Sequence, residues 1–163
     1  MPSLFGAKLQ SLRHLHKLTQ IELAKQLGLD ADAQGYLSRL ESGEYAPSLK
    51  ILLALAMRLG VTTDYLIRDD VPVEAIHEHG IKHNVHCGTS CTLLGAKLRY
   101  LRRRENITQT ALAMELGLRT HAHVSHMENG TYMPSIDLLL KIADRFHVST
   151  DYLLCDTIAI DGT

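Results

Sequence analysis

Apolar residues recur along this chain at helical spacing. Ala7, Leu9, Leu12 and Leu15 repeat three or four positions apart, as do Leu98, Leu101 and their neighbours, so each set predicts an amphipathic helix with these residues in the core. Thr19 and Thr108 precede further apolar runs and suit helix N-caps, and Glu22 completes a capping box after Thr19. The helices they open, Gln20–Leu27 and Gln109–Leu116, end at Gly28 and Gly117, where a left-handed C-terminal residue is expected. A third helix then finishes at Ser42-Gly43 or Asn129-Gly130. Pro47-Ser48 and Pro134-Ser135 stop that element and cap a fourth. Its apolar face is Leu52, Leu55, Ala56 and Leu59, repeated as Leu139, Ile142, Ala143 and Phe146. A short fifth helix holds Asp64-Tyr65-Leu66 or Asp151-Tyr152-Leu153. No segment alternates with period two for long, so no sheet is expected. The tail Thr157-Ile158-Ala159-Ile160 is β-prone but short.

These elements come in two copies. Phe5-Gly6-Ala7-Lys8-Leu9 returns as Leu94-Gly95-Ala96-Lys97-Leu98, 89 residues on, and Thr19-Gln20 returns as Thr108-Gln109 at the same offset. From Leu37 onward the offset is 87, through Pro47-Ser48 and Thr63-Asp64-Tyr65-Leu66. Copy one therefore carries two extra residues between Leu29 and Leu37. A unit this long is a domain and not a solenoid repeat. The expected organisation is a first domain at 1–68, a linker at 69–92, a second domain at 93–156 and a tail at 157–163.

Five short helices with a tight turn between the second and third form the layout of a helix-turn-helix module. The sequence resembles the phage-repressor-like, XRE-type family of such domains, whose fold is the all-α, lambda-repressor-like one. The residues that carry the resemblance are Leu18-Thr19-Gln20-x2-Leu23-Ala24-x2-Leu27-Gly28, then Leu37-Ser38-x2-Glu41-x-Gly43-x3-Pro47-Ser48, then Leu59-Gly60-Val61-x2-Asp64-Tyr65-Leu66. Copy two repeats them from Ile107-Thr108-Gln109 to Val148-x2-Asp151-Tyr152-Leu153.

The resemblance implies a sequence-specific, double-stranded DNA-binding transcriptional regulator, read as a repressor, that places the third helix of each domain in the major groove. Counted back from the glycine that ends this helix, the family's reading positions fall on Gln34, Gly35 and Arg39, and on His121, Ala122 and His126. Gln pairs with adenine and Arg with guanine in that groove. Tyr36, Ser38, His123 and Ser125 flank these positions, with Arg119 and Thr120 just before the copy-two helix. Gln20 and Gln109 stand where the family contacts a phosphate and braces the reading helix. Glu41 and Glu128 are expected to cap or pair within their modules. Tyr65 and Tyr152 are expected to pack, with their hydroxyls hydrogen-bonded.

Charge separates the copies. The whole chain of 163 residues carries a net charge of −1, which excludes a histone-like polycation. From Phe5 to Gly43 five basic residues face four acidic ones, Asp30 and Asp32 in the lengthened turn among them. From Leu93 to Gly130 six basic residues, with Arg102, Arg103 and Arg119 as phosphate candidates, face three acidic ones. Phosphate attraction supplies most non-specific affinity, so copy two is expected to bind DNA more strongly. An alternative reading makes copy one mainly a protein-interaction or dimerisation unit, as in antitoxin-like and developmental regulators that share the family pattern.

The composition adds little chemistry. There is no apolar run near the roughly 20 residues that a membrane helix needs, no secretory signal and no glycine-rich phosphate loop or His-Glu-x-x-His motif. A non-enzyme in the cytoplasm is expected. Three cysteines do not read as a disulfide framework, and Cys155 is expected to be a small buried hydrophobe. No cofactor is expected. His77, His79, His83, His86, Cys87 and Cys91 nevertheless lie within fifteen residues of the linker, and a zinc-like metal held there, or a thiol switch at Cys87 and Cys91, is the alternative to a merely polar linker.

Overall fold

The computed structural model describes residues 3–29, 33–73 and 91–160, the side chains of Ala33 and Gln34 excepted. The described residues form ten helices and no strand. They divide into two compact units, Met1–His86 and Cys87–Thr163. The first unit contains α1 (Phe5–Leu15), α2 (Gln20–Gln26), α3 (Ala33–Glu41), α4 (Leu49–Leu59) and α5 (Thr63–Ile67). The second repeats the order as α6 (Leu94–Arg104), α7 (Gln109–Glu115), α8 (His121–Glu128), α9 (Ile136–Phe146) and α10 (Thr150–Leu154).

The local signals act as the sequence predicts. Thr19 and Glu22 form a reciprocal capping box, and Thr108, Ser48 and Ser135 each cap a helix through the side chain. Gly28 and Gly117 turn the chain with φ of 68° and 72°, a region that costs glycine nothing. The faces Leu52, Leu55, Ala56, Leu59 and Leu139, Ile142, Ala143, Phe146 are buried throughout. Burying one such side chain contributes about 1.5–3 kcal/mol before the entropy of ordering is subtracted. The tail from Thr157 to Ile160 forms turns and not a strand.

Three expectations need correction. Leu15 is 50% exposed and Ala7 is exposed, because α1 presents its other side, through Phe5, Leu9 and Leu12, to the core. The residue matching Leu15 in copy two is the exposed Arg104, so the position is a surface one in both units. Cys155 is buried as expected, but it is disulfide-bonded. An odd cysteine count leaves one thiol over without forbidding a bridge.

Each unit closes on itself through a buried lysine that the helical pattern marked only as a repeat. Lys8 and Lys97 are fully buried on α1 and α6. Lys8 Nζ donates to the carbonyls of Tyr65 (2.7 Å) and Arg68 at the end of α5. Lys97 Nζ donates to those of Tyr152 and Cys155, both at 2.6 Å, at the end of α10. Burial pushes both ammonium pKa values down, and Asp69 or Asp156 opposes this. Asp69 accepts from the backbone N–H groups of Ser3 and Leu4, and Asp156 from those of Thr92 and Leu93. The end of each unit is thereby bonded to its beginning. Tyr65 and Tyr152 pack over the lysines and donate their hydroxyls to the carbonyls of Val73 and Ile160.

Gly6 and Gly95 set how closely the first helix approaches the third. A Cβ on Gly95 would lie 2.5 Å from the Met127 carbonyl oxygen, and one on Gly6 would lie 2.1 Å from that of Glu41. Backbone atoms cannot rotate away, so Gly95→Ala must push α6 off α8. We expect it to lower stability by about 1–3 kcal/mol in urea unfolding. An unchanged midpoint would show that the two helices move apart freely.

Candidate nucleic-acid interface

In each unit one carboxylate fixes the third helix to the first two. Arg102, on α6, donates from Nε to Glu128 Oε1 at 2.5 Å and from Nη2 to Oε2 at 3.0 Å. Its Nη1 donates to the Ile107 carbonyl at 2.9 Å, tying in the turn before α7. Gln109, the first residue of α7, adds Nε2 to Glu128 Oε2 at 2.9 Å. The Glu128 side chain is 1% exposed. Copy one repeats the arrangement with Arg13, Leu18, Gln20 and Glu41: Nε to Oε1 is 2.6 Å, Nη1 to the Leu18 carbonyl is 2.9 Å, and Gln20 Nε2 to Oε2 is 2.8 Å. The expected internal role of Glu41 and Glu128 is therefore what the structure shows.

Burial would raise the Glu128 pKa, but hydrogen bonds from Arg102 and Gln109 outweigh it, and the carboxyl ends below its ordinary range. Arg102 is correspondingly pushed up by its bond to Glu128.

The clamp leaves one side of α8 facing solvent. Val124 and Met127 are fully buried, whereas His121, His123 and His126 are exposed, with Ala122 and Ser125 half-buried between them. Arg119 and Thr120 are exposed before the helix, and Arg103 is exposed on α6. Thr120 makes no side-chain cap; its hydroxyl lies 3.2 Å from His123 Nδ1. The His123 ring meets Tyr132 edge-on, with centroids 6.1 Å apart. Arg102 and Arg103 are sequence neighbours with opposite fates. All three guanidinium nitrogens of Arg102 are engaged inside the unit, so of the pair expected to meet phosphate it is Arg103 that faces solvent.

In copy one, Ser38 and Arg39 are exposed on α3 with Gly35. Arg39 stacks on Tyr45 at 5.2 Å, and its Nε lies 4.0 Å from Glu44. Tyr36 is half-buried, its hydroxyl is engaged by the Ser48 backbone, and burial pushes its pKa up. It therefore braces α4. The Gln34 side chain and residues Asp30 and Asp32 lie outside the described residues, as do His77, His79, His83, His86 and Cys87. Cys91 is a half-buried free thiol whose pKa is raised by burial and by Asp156. No group of three or more metal-ligating side chains occurs among the described residues.

A buried carboxylate held by an arginine and a glutamine, beneath a solvent-facing third helix, occurs in both units. A family model described as Helix-turn-helix matches residues 9–66 and 98–153. The chain belongs to this helix-turn-helix family. It is 39% identical over 70 residues to the HTH-type transcriptional regulator PrpR of Mycobacterium tuberculosis, a match that covers 43% of this chain and 14% of that protein. It is 38% identical over 65 residues to an uncharacterized HTH-type transcriptional regulator of Methanocaldococcus jannaschii, covering 39% of this chain and 94% of the relative. It is 30% identical over 69 residues to an immunity repressor protein of Bacillus phage phi105, covering 42% of this chain and 46% of the relative. The chain thus spans a small part of the mycobacterial relative and about half of the phage one. No solved structure matches it. Among the described residues no helix is long and apolar enough to cross a membrane.

The clamp predicts an acid-sensitive contribution to stability. A carboxylate with a depressed pKa stabilises the fold above its unfolded pKa, and that share is lost as pH falls through the folded value. Glu128→Ala strands Arg102 and is expected to cost about 3–5 kcal/mol near neutral pH. In urea unfolding, the gap between wild type and variant should narrow below about pH 4. A gap independent of pH would mean that the pair is not ionised as described.

Proposed function

We propose that this chain is a sequence-specific double-stranded DNA reader that regulates transcription as a repressor, through the third helix of each domain. The observation that carries the reading is the division of α8 into a buried face, Val124 and Met127, and an exposed row, His121, His123 and His126. A helix so presented fits the major groove, where each base pair has its own donor and acceptor pattern. Ala122 and Ser125 complete the copy-two reading surface. Arg103, Arg119 and Thr120, all exposed, would meet phosphate. Gln109 holds α8 through Glu128 and reaches the backbone from the start of α7. In copy one Arg39, Ser38, Gly35 and Gln34 would read bases, with Gln20 in the place of Gln109. This role does not call for an enzyme active site or a cofactor.

The two domains, 1–68 and 93–156, joined by residues 69–92, would address two half-sites at once. Those half-sites would be adjacent, about one DNA turn apart. Arg39 and His126 occupy the same place in the two units, so the half-sites should differ. A homodimer would make the complete operator symmetric again.

A second reading rests on a different observation. Copy one exposes Leu15, Ile21 and Met57 at 50%, 46% and 42%, where copy two has Arg104, Thr110 and Asp144. Copy two exposes Met114 and Met133 instead, at 74% and 46%; the second reading assigns the copy-one set to a protein partner or a second copy and leaves copy two as the DNA reader.

Selection from a random duplex pool at about 0.1 M salt tests the main reading. We expect a motif of two unlike half-sites. Arg103→Glu and Arg119→Glu should each weaken binding to all sequences and lower the salt slope by about 1 or more. A perfect palindrome bound by one chain would overturn the two-half-site reading, and no enrichment would overturn DNA reading. A single half-site, with self-association abolished by Leu15→Glu and Met57→Glu, would favour the second reading.

A further inference from the structure

The residue after the helix-ending glycine, Glu44 or Thr131, reaches back to the reading residue five positions earlier in both units. In copy one the pair is Glu44 and Arg39, at 4.0 Å. In copy two it is Thr131 and His126, and here the hydrogen bonds decide a chemical state. Thr131 Oγ1 lies 3.1 Å from the His126 carbonyl oxygen and 3.0 Å from His126 Nδ1. That carbonyl also accepts from the backbone N–H of Thr131 at 2.9 Å and of Tyr132 at 3.3 Å.

A hydroxyl has one hydrogen, and two oxygens 3.1 Å apart with none between them repel. If the hydroxyl donated to Nδ1, the contact with the carbonyl would hold no hydrogen. If it donates to the carbonyl, the ring must supply the hydrogen to the other contact from Nδ1. Only the second arrangement places a hydrogen in both contacts.

We propose that Thr131 holds neutral His126 in its Nδ1–H form, so that this side chain presents Nε2 to the operator as a hydrogen-bond acceptor. Thr131 is then a positioning residue and His126 the specificity-determining one. An acceptor in the major groove meets the amino group of cytosine or adenine, not the N7 and O6 acceptors of guanine. Arg39, at the same place in copy one, has only donors and prefers guanine. The paired reading positions of the two units are thereby chemically opposite at neutral pH.

Glu128, two positions further along α8, is the nearest carboxylate to His126 in the chain. Glu128 is engaged by Arg102 and Gln109, and Arg99 also reaches Glu128 and Asn129. His123 has its own hydroxyl neighbour in Thr120, without a second oxygen contact of that hydroxyl that would fix its tautomer.

This inference rests on the DNA-reading proposal for its consequence but not for its chemistry, so two measurements separate them. Nitrogen-15 NMR of the His126 ring in the full chain without DNA, at about pH 8, should show hydrogen on Nδ1. Thr131→Val, which keeps the shape and removes the hydroxyl, should release the ring to the Nε2–H form. Hydrogen on Nε2 in the wild type would overturn the assignment whatever the protein binds. In duplex-pool selection the wild type should prefer cytosine or adenine at one position of one half-site. That preference should move toward guanine by about two- to tenfold in Thr131→Val. A motif whose bases are indifferent to Thr131→Val would overturn the reading role. The expected NMR result without any selected motif would leave the tautomer standing and remove the DNA-reading proposal.

Discussion

Everything the third helix can do depends on a buried carboxylate. Glu128 joins α6 through Arg102, which also holds the Ile107 carbonyl of the following turn, and α7 through Gln109. Taking two charges out of water costs several kcal/mol each, and their attraction does little more than return it. The value of the pair lies in geometry. Its bonds satisfy the carboxylate only when three helices meet in one orientation, so α8 has a single place to sit. Apolar side chains of equal volume would tolerate a helix that slid or rotated. A helix presented to a patterned surface cannot be allowed that freedom.

The same frame is built twice, with the same distances to within a few tenths of an ångström, yet the exposed faces diverge. Arg13, Gln20 and Glu41 repeat as Arg102, Gln109 and Glu128, and Lys8 repeats as Lys97. Outside the frame, Arg39 stands where His126 does, and Leu15, Ile21 and Met57 stand where Arg104, Thr110 and Asp144 do. The ends of α6, α7 and α9 carry a charged network, with Arg145 bonded to Glu105 and Glu115. Its counterpart in copy one is Arg58 bonded to the neutral Gln26, with His16 against the Leu59 carbonyl. Residues under geometric constraint have stayed alike and solvent-facing ones have not. Two modules with one scaffold and two surfaces suit a chain that makes two different contacts. Tethering them would raise the effective concentration of the second contact once the first is made.

Much of this was legible in the sequence because it is local. Helix caps act over three residues, the left-handed glycines act at one, and apolar faces repeat every three or four. The duplication made each of these signals appear twice, and an internal role was expected of Glu41 and Glu128. The sequence did not reveal that Arg102 turns inward and Arg103 outward. Neighbours on a helix differ by about 100° in direction, and which one meets Glu128 is settled by how α6 packs on α8. Periodicity placed Leu15 in the core, because a last turn that overruns its neighbours looks the same in a sequence as one that does not.

The sequence by itself determined the ten helices of the described chain, their order, their ends and their repetition, since these arise from interactions between residues a few positions apart. The tertiary structure alone decided which polar side chains are structural and which are free. Lys97 bonds to Tyr152 across 55 residues, and Arg102 to Glu128 across 26. Both look like solvated cations until the packing removes their water. A charge or hydroxyl has no fixed role in one dimension, because that role is set by what lies within about 3 Å of it after the chain has folded.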